Sequence, residues 1–179
     1  MPAARPQSQF VTLMAWISLG LAVMGVASGL LQAVTLPALQ PEAMLQTVTG
    51  GGLALPPALL WLFRHLQLLN FLSLLSSAVF AWVCWDLLKR RERGRLGFIA
   101  YLALGALAGL VGAALFGHFV GALPMDGSLA EAGMDPMVQQ LQAAMRLAMW
   151  AGALLVAALH GAIIWKLCTP EVRAEFGRA

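Results

Sequence analysis

The chain has 179 residues, of which 60% are hydrophobic and only 11% charged, with a mean hydropathy of +0.80. A soluble domain carries about 25% charged residues, so this composition excludes the soluble enzyme classes and leaves no room for an independent aqueous domain. The net charge is +3, but Lys and Arg gather at the ends of apolar segments instead of on a basic face, which makes them topology signals and argues against a nucleic-acid partner.

Four long apolar stretches follow one another, each able to cross a bilayer as a helix. The first is expected over residues 10–36, after Arg5. Its apolar run exceeds the roughly 7–15 residues of a secretory signal core, so it reads as a span that is not cleaved. Small residues Gly25 and Gly29 mark a face for close packing. The connection 37–57 contains Glu42 and no Lys or Arg; Pro41, the run Gly50, Gly51, Gly52, and Pro56 with Pro57 punctuate it as a short re-entry loop.

The second span is expected over 58–88. It carries Arg64 and His65 near its outer end, and Gln67, Asn70, Ser73 and Ser77 within an arc of roughly 120° on a helical period. That polar face is expected to hydrogen-bond to neighbouring helices; the alternative is a path for a small solute or ion. No Asp or Glu lies near the middle of any span, and Asp86, beside Lys89 and Arg90, is expected to form a surface ion pair at the inner edge. Lys89, Arg90, Arg91, Arg93 and Arg95 fill the short link 89–95.

The third span, 96–121, sets Gly105, Gly109, Ala113, Gly117 and Gly121 at intervals of four, a ridge of small residues along which another helix backbone can approach. The ridge is expected to pack inside a four-helix bundle or to form a seam with a second copy or a partner protein. The connection 122–143 contains Asp126, Glu131 and Asp135 and again no Lys or Arg. In it, Ser128 with Glu131 matches a capping box, Gly133 can end that turn, and Asp135 with Pro136 can start the last helix near Met137. The fourth span, 144–165, offers Ala153, Ala157 and Gly161 for packing, and His160 for a hydrogen bond across helices; Lys166, Arg173 and Arg178 follow it.

The expected fold is therefore all-α, a single polytopic membrane domain over 1–179: a four-helix transmembrane bundle with both termini and the basic link in the cytoplasm. Arg64 and Arg146 lie near outer ends, where long stems reach headgroups. Trp61 and Trp150 fall at outer ends, and Trp16, Trp82, Trp85 and Trp165 at inner ends, as an interfacial belt requires. Cys84 and Cys168 both sit near cytoplasmic ends, so no disulfide is expected. His65 and His118 fall at similar depth and could ligate a haem b iron or share a metal, but two ligands fall short of a signature, and the expected cofactor set is none.

The segments Gln9-Phe10-Val11-Thr12-Leu13-Met14-Ala15-Trp16, Leu31-Gln32, Phe63-Arg64-His65, and Leu87 to Arg95 followed by Leu96-Gly97-Phe98-Ile99 resemble a group of uncharacterised four-span proteobacterial inner-membrane proteins over the first two thirds of the chain. The resemblance implies a bacterial inner membrane and brings no activity. Small multidrug transporters also have four spans, but the membrane-embedded Glu of their first span has no counterpart here. With no catalytic motif present, the expected role is non-enzymatic: helix association in the bilayer, as a homo-oligomer or a subunit of a membrane complex.

Overall fold

The computed structural model describes residues 8–38, 43, 46, 57–122 and 135–176, and within these the side chains at 58, 59, 118–122 and 135–138 are left aside. Most of both outer connections, with Glu42, Gly50, Gly51, Gly52, Ser128, Glu131 and Gly133, lies outside the described residues.

Among the described residues all regular structure is helical, in the order α1 (Gln9–Ala38), α2 (Pro57–Arg64), α3 (Leu66–Leu88), α4 (Glu92–Ala122), α5 (Asp135–Cys168) and α6 (Pro170–Arg173). Helices α1, α3, α4 and α5 are each long and apolar enough to cross a membrane. The shortest, α3, has 23 residues, or about 35 Å at 1.5 Å per residue, against a hydrocarbon core of about 30 Å. The burial pattern is that of a multi-pass membrane protein. On α1, Leu13, Ile17, Leu21, Met24, Leu31 and Val34 are exposed while Ala15, Ser18, Ala22 and Gly29 are buried, the reverse of a soluble helix.

Three boundaries differ from the sequence reading. The second span is not one helix from residue 58: the ladder is interrupted at His65, whose backbone N–H is shared between the carbonyls of Trp61 and Leu62. Its ring Nδ1 lies 2.8 Å from the Trp61 oxygen. Side chain and backbone thus compete for one acceptor, a recognised cause of helix interruption. Arg64 consequently belongs to the short α2 and not to the spanning helix. The basic link is also shorter than 89–95, because α4 already begins at Glu92 and takes Arg93 and Arg95 into its first turns. The last helix begins at Asp135, two residues before Met137.

The chain divides into two compact units, Met1–Phe98 with Ala174–Ala179, and Ile99–Arg173. In the first, α1 and α3 run antiparallel, Gly25 against Ser77 and Gly29 against Leu74 and Asn70, and the less exposed rows of the two helices are residues 11, 15, 18, 22, 25 and 29 and residues 70, 74, 77, 81, 84 and 88. Both rows advance in steps of four and three, the repeat of a left-handed helix pair. The α1 row is Val11, Ala15, Ser18, Ala22, Gly25 and Gly29, side chains small enough for close approach. A Cβ on Gly25 would lie 2.8 Å from Ser77 Oγ, and one on Gly29 would lie 3.1 Å from Leu74 Cδ1. Asn70 Nδ2 donates to the Gly29 carbonyl at 3.1 Å across this seam.

The same unit contains a tight hairpin between α3 and the start of α4. Gly94 crosses the backbone of α3 so closely that a Cβ there would meet the Asp86 carbonyl carbon and the Leu87 nitrogen at 2.5 Å. One turn on, Gly97 packs against Val83 and Phe98 stacks on Phe80, ring centroids 5.6 Å apart. Val11, Cys84, Leu87 and Phe98 are fully buried around this end. In the second unit, α4 meets α5 where Gly105 faces His160 and Gly117 faces Trp150, each at 3.9 Å from an added Cβ, whereas Gly109, Gly112, Gly152 and Gly161 have nothing within 4 Å.

The contrast between glycines gives a direct test. Gly94→Ala drives a methyl group into backbone atoms that cannot rotate away, and is expected to cost about 1–3 kcal/mol, the range for overpacking. Gly109→Ala meets open space and should leave stability unchanged or slightly raised. Thermal denaturation in mild detergent reads both; equal midpoints for the two variants would refute the close crossing at Gly94.

Candidate functional site

The densest polar structure is the corner between α3 and α4. Helix α3 ends in paired reverse hydrogen bonds, Arg91 N–H to the Asp86 carbonyl at 3.1 Å and Arg90 N–H to the Leu87 carbonyl at 3.0 Å. This is the Schellman arrangement, whose turning residue takes a left-handed conformation and is usually glycine. Here it is Arg90, with φ 54°, at a cost of roughly 1–2 kcal/mol for a residue with a Cβ.

The Arg90 side chain offsets that cost. Its guanidinium pairs with Glu175 and donates to the Ser8 carbonyl at 3.1 Å and the Thr12 hydroxyl at 2.8 Å. It also lies over the Phe176 ring, 5.9 Å from the centroid. Glu175 accepts in turn from the Ser8 N–H at 3.2 Å. The Arg90 side chain is 15% exposed and Glu175 21%, so the pair is partly desolvated and its hydrogen bonds count for more than those of a surface ion pair. One side chain thus joins the start of α1, the α3–α4 corner and residues 174–176.

The neighbouring charges are also paired. Asp86 is not a surface residue bound to Lys89 and Arg90, as the sequence suggested; its side chain is 5% exposed, and it accepts from Arg91 at 3.1 Å and Arg93 at 2.6 Å. The helical spacing that put Lys89 and Arg90 beside it ends at Leu88, and the left-handed residue turns Arg91 and Arg93 back over the carboxylate. Arg95, whose side chain is 6% exposed, pairs with Glu92 within α4. Aromatic rings cover two further cations: Lys89 Nζ lies 5.0 Å from the Trp85 centroid and Arg93 lies 5.8 Å from that of Trp82.

The structure separates the residues that the sequence grouped as sites. Of the span-three ridge, Ala113 is buried and Gly105 and Gly117 are half-buried, while Gly109 is exposed; nothing is described around Gly121. The polar face of α3 splits: Asn70 and Ser77 turn into the α1 seam, and Gln67 and Ser73 are exposed. Asn70 Oδ1 is buried there without a hydrogen-bond partner. His65 stacks on Trp61, ring centroids 4.5 Å apart, with Nδ1 2.8 Å from the Trp61 carbonyl oxygen; the His118 side chain lies outside the described residues. The expected bond of His160 across helices is not made by Nδ1, which is buried with no partner. Among the described residues no three His, Cys, Asp or Glu side chains converge on a metal position. Cys84 is buried, Cys168 exposed, and both thiols are free.

Sequence reasoning missed the Arg90–Glu175 node. The cluster of cations at 89–95 was visible, and Glu175 stood in the sequence, but no spacing rule connects residues 85 positions apart. Comparison with protein-family models, curated proteins and solved structures gives no match.

Removing the charge of one partner isolates the node's contribution. Glu175→Gln keeps the side chain's shape but leaves Arg90 with a neutral acceptor, and is expected to lower stability by about 1–3 kcal/mol, the range for a buried charge-assisted bond. Limited proteolysis in detergent should then release the segment after α6 faster than in the wild-type protein. Unchanged cleavage kinetics and an unchanged melting midpoint would mean that the node does not hold the tail.

Proposed function

We propose that this chain is a multi-pass protein of a bacterial inner membrane that works without a catalytic centre, by associating through α4 with a second copy of itself or with a larger membrane complex. Ser8, the Lys89–Arg91 corner and residues 174–176 lie together, and in this reading they face the cytoplasm. Two independent facts support that orientation. Ser8, Arg90 and Glu175 meet at one point, so the three segments that carry them share one side of the bilayer. Lys89, Arg90, Arg91, Arg93 and Arg95 lie at that point, and short segments rich in Lys and Arg are retained in the cytoplasm.

The association reading is carried by one observation: Gly25 and Gly29 of α1 are filled by α3, whereas Gly109 and Gly112 of α4 have nothing within 4 Å and are exposed. In lipid, helices associate through close backbone approach rather than through hydrophobic burial, and an unfilled glycine face is the surface that permits it.

Because Gly109 and Gly112 meet no atoms of their own chain, Gly109→Leu and Gly112→Leu should leave the fold intact while blocking approach of another helix. Crosslinking in native membranes should show the double variant losing the oligomer or partner species of the wild type; an unchanged crosslink pattern would refute the α4 seam. Orientation has its own test in the native thiol. Exposed Cys168 should react with a membrane-impermeant maleimide in inverted vesicles but not in intact spheroplasts, with a Ser128→Cys variant giving the opposite pattern. Labelling of Cys168 from outside would invert the map.

A further inference from the structure

Among the described residues, the corner has one cation that pairs with no carboxylate. Between residues 89 and 95, Arg90 pairs with Glu175, Arg91 and Arg93 with Asp86, and Arg95 with Glu92. Lys89 pairs with none of these and rests on the Trp85 ring. It also borders a cavity of about 370 Å³ lined by Thr12, Trp16, Trp85, Leu88, Lys89 and Arg90, within the first unit alone.

We infer that this cavity binds the phosphodiester headgroup of an anionic phospholipid. The walls specify the ligand. Trp16 and Trp85 are 58% and 47% exposed and offer indole surface on α1 and α3, at the level where such rings meet the boundary between headgroups and hydrocarbon. Leu88 continues the apolar wall. The Lys89 ammonium supplies three donors and one positive charge at the rim, matching the single negative charge of a phosphodiester. Two of the other polar groups are already engaged: the Thr12 hydroxyl accepts from Arg90 and donates to the Ser8 carbonyl at 3.4 Å, and the Arg90 guanidinium is held by Glu175.

A soluble phosphate would use Lys89 and leave two indoles and a leucine facing water. A lipid uses both halves, its phosphate on Lys89 and its glycerol backbone and first acyl carbons along Trp16, Trp85 and Leu88. A zwitterionic lipid brings its own ammonium to a corner that holds five basic residues, Lys89, Arg90, Arg91, Arg93 and Arg95, against three acidic ones, Asp86, Glu92 and Glu175, and is disfavoured by like-charge repulsion. Basic pockets between transmembrane helices are a general device for selecting anionic headgroups.

This site rests on the membrane insertion proposed above, and insertion is read separately, by resistance of the protein to carbonate extraction from membranes. The site is tested by native mass spectrometry of the full chain in mild detergent, titrated with phosphatidylglycerol or with phosphatidylcholine of the same acyl chains. The expected result is one retained phosphatidylglycerol, in preference to phosphatidylcholine. Lys89→Gln should weaken it about fivefold, Trp85→Leu should also weaken it, and Arg173→Gln, an exposed cation elsewhere in the chain, should not change it. Equal retention of the two lipids, or equal effects of Lys89→Gln and Arg173→Gln, would overturn the proposal. So would displacement of the lipid by millimolar inorganic phosphate, which would assign the cavity to a soluble anion. A carbonate-resistant protein without lipid preference refutes the site alone, whereas a carbonate-released protein refutes insertion with it.

Discussion

The constraint on which the first unit depends is the conformation of Arg90. A left-handed turn at a residue with a Cβ is unfavourable by itself, yet it is what folds α4 back over Asp86 and lets Gly94 lie against the α3 backbone. The side chain that makes the turn costly also holds it, because from that backbone position the guanidinium reaches Glu175, Ser8 and Thr12 together. Glycine would make the turn more easily but would leave residues 8–12 and 174–176 without their common partner. Fully buried side chains gather round this end, and along the rest of α1 the packing is a single row of small residues against α3.

On the membrane insertion proposed above, that distribution follows from the solvent. In water a bundle would close by burying Leu, Val and Ile; in lipid those side chains gain nothing by leaving the surface, and Leu13, Leu21, Met24 and Val34 remain outside. Cohesion must then come from contact geometry and from polar groups that hydrocarbon cannot satisfy. The α1–α3 seam uses the first, with Gly25 and Gly29 admitting Ser77 and Leu74, and the corner uses the second. Asn70, donating to the Gly29 carbonyl while its oxygen is unpartnered, adds a polar marker to the α1–α3 register at a modest energetic cost.

Four apolar helices were legible from composition and length alone, since each apolar run had to satisfy its own backbone. The seam was less so. Intervals of four made the glycines of α4 conspicuous, but Gly109 meets nothing of its own chain, and the closed seam runs on a 3.5-residue period through Val11, Ala15, Ser18 and Ala22, residue types too common in this chain to stand out. The polar face of α3 was drawn on an ideal helix as one arc; burial divides it, with Asn70 and Ser77 on the α1 side and Gln67 and Ser73 exposed. At the corner a sequence places Asp86 beside Lys89 and Arg90, because a helical spacing rule stops being valid where the chain reverses. Only the coordinates pair Asp86 with Arg91 and Arg93, and Arg90 with Glu175.

The order of synthesis gives the Glu175 contact a further meaning. Residue 175 is added after every helix has been synthesised, so while the hairpin between the second and third long helices forms, Arg90 has no Glu175 to meet. The strained turn is then held by Ser8 and Thr12 at most, and the nascent corner remains open to rearrangement until Glu175 has emerged from the ribosome. Closure therefore comes late, and a chain that stops short of Glu175 leaves the Arg90 guanidinium without its carboxylate partner.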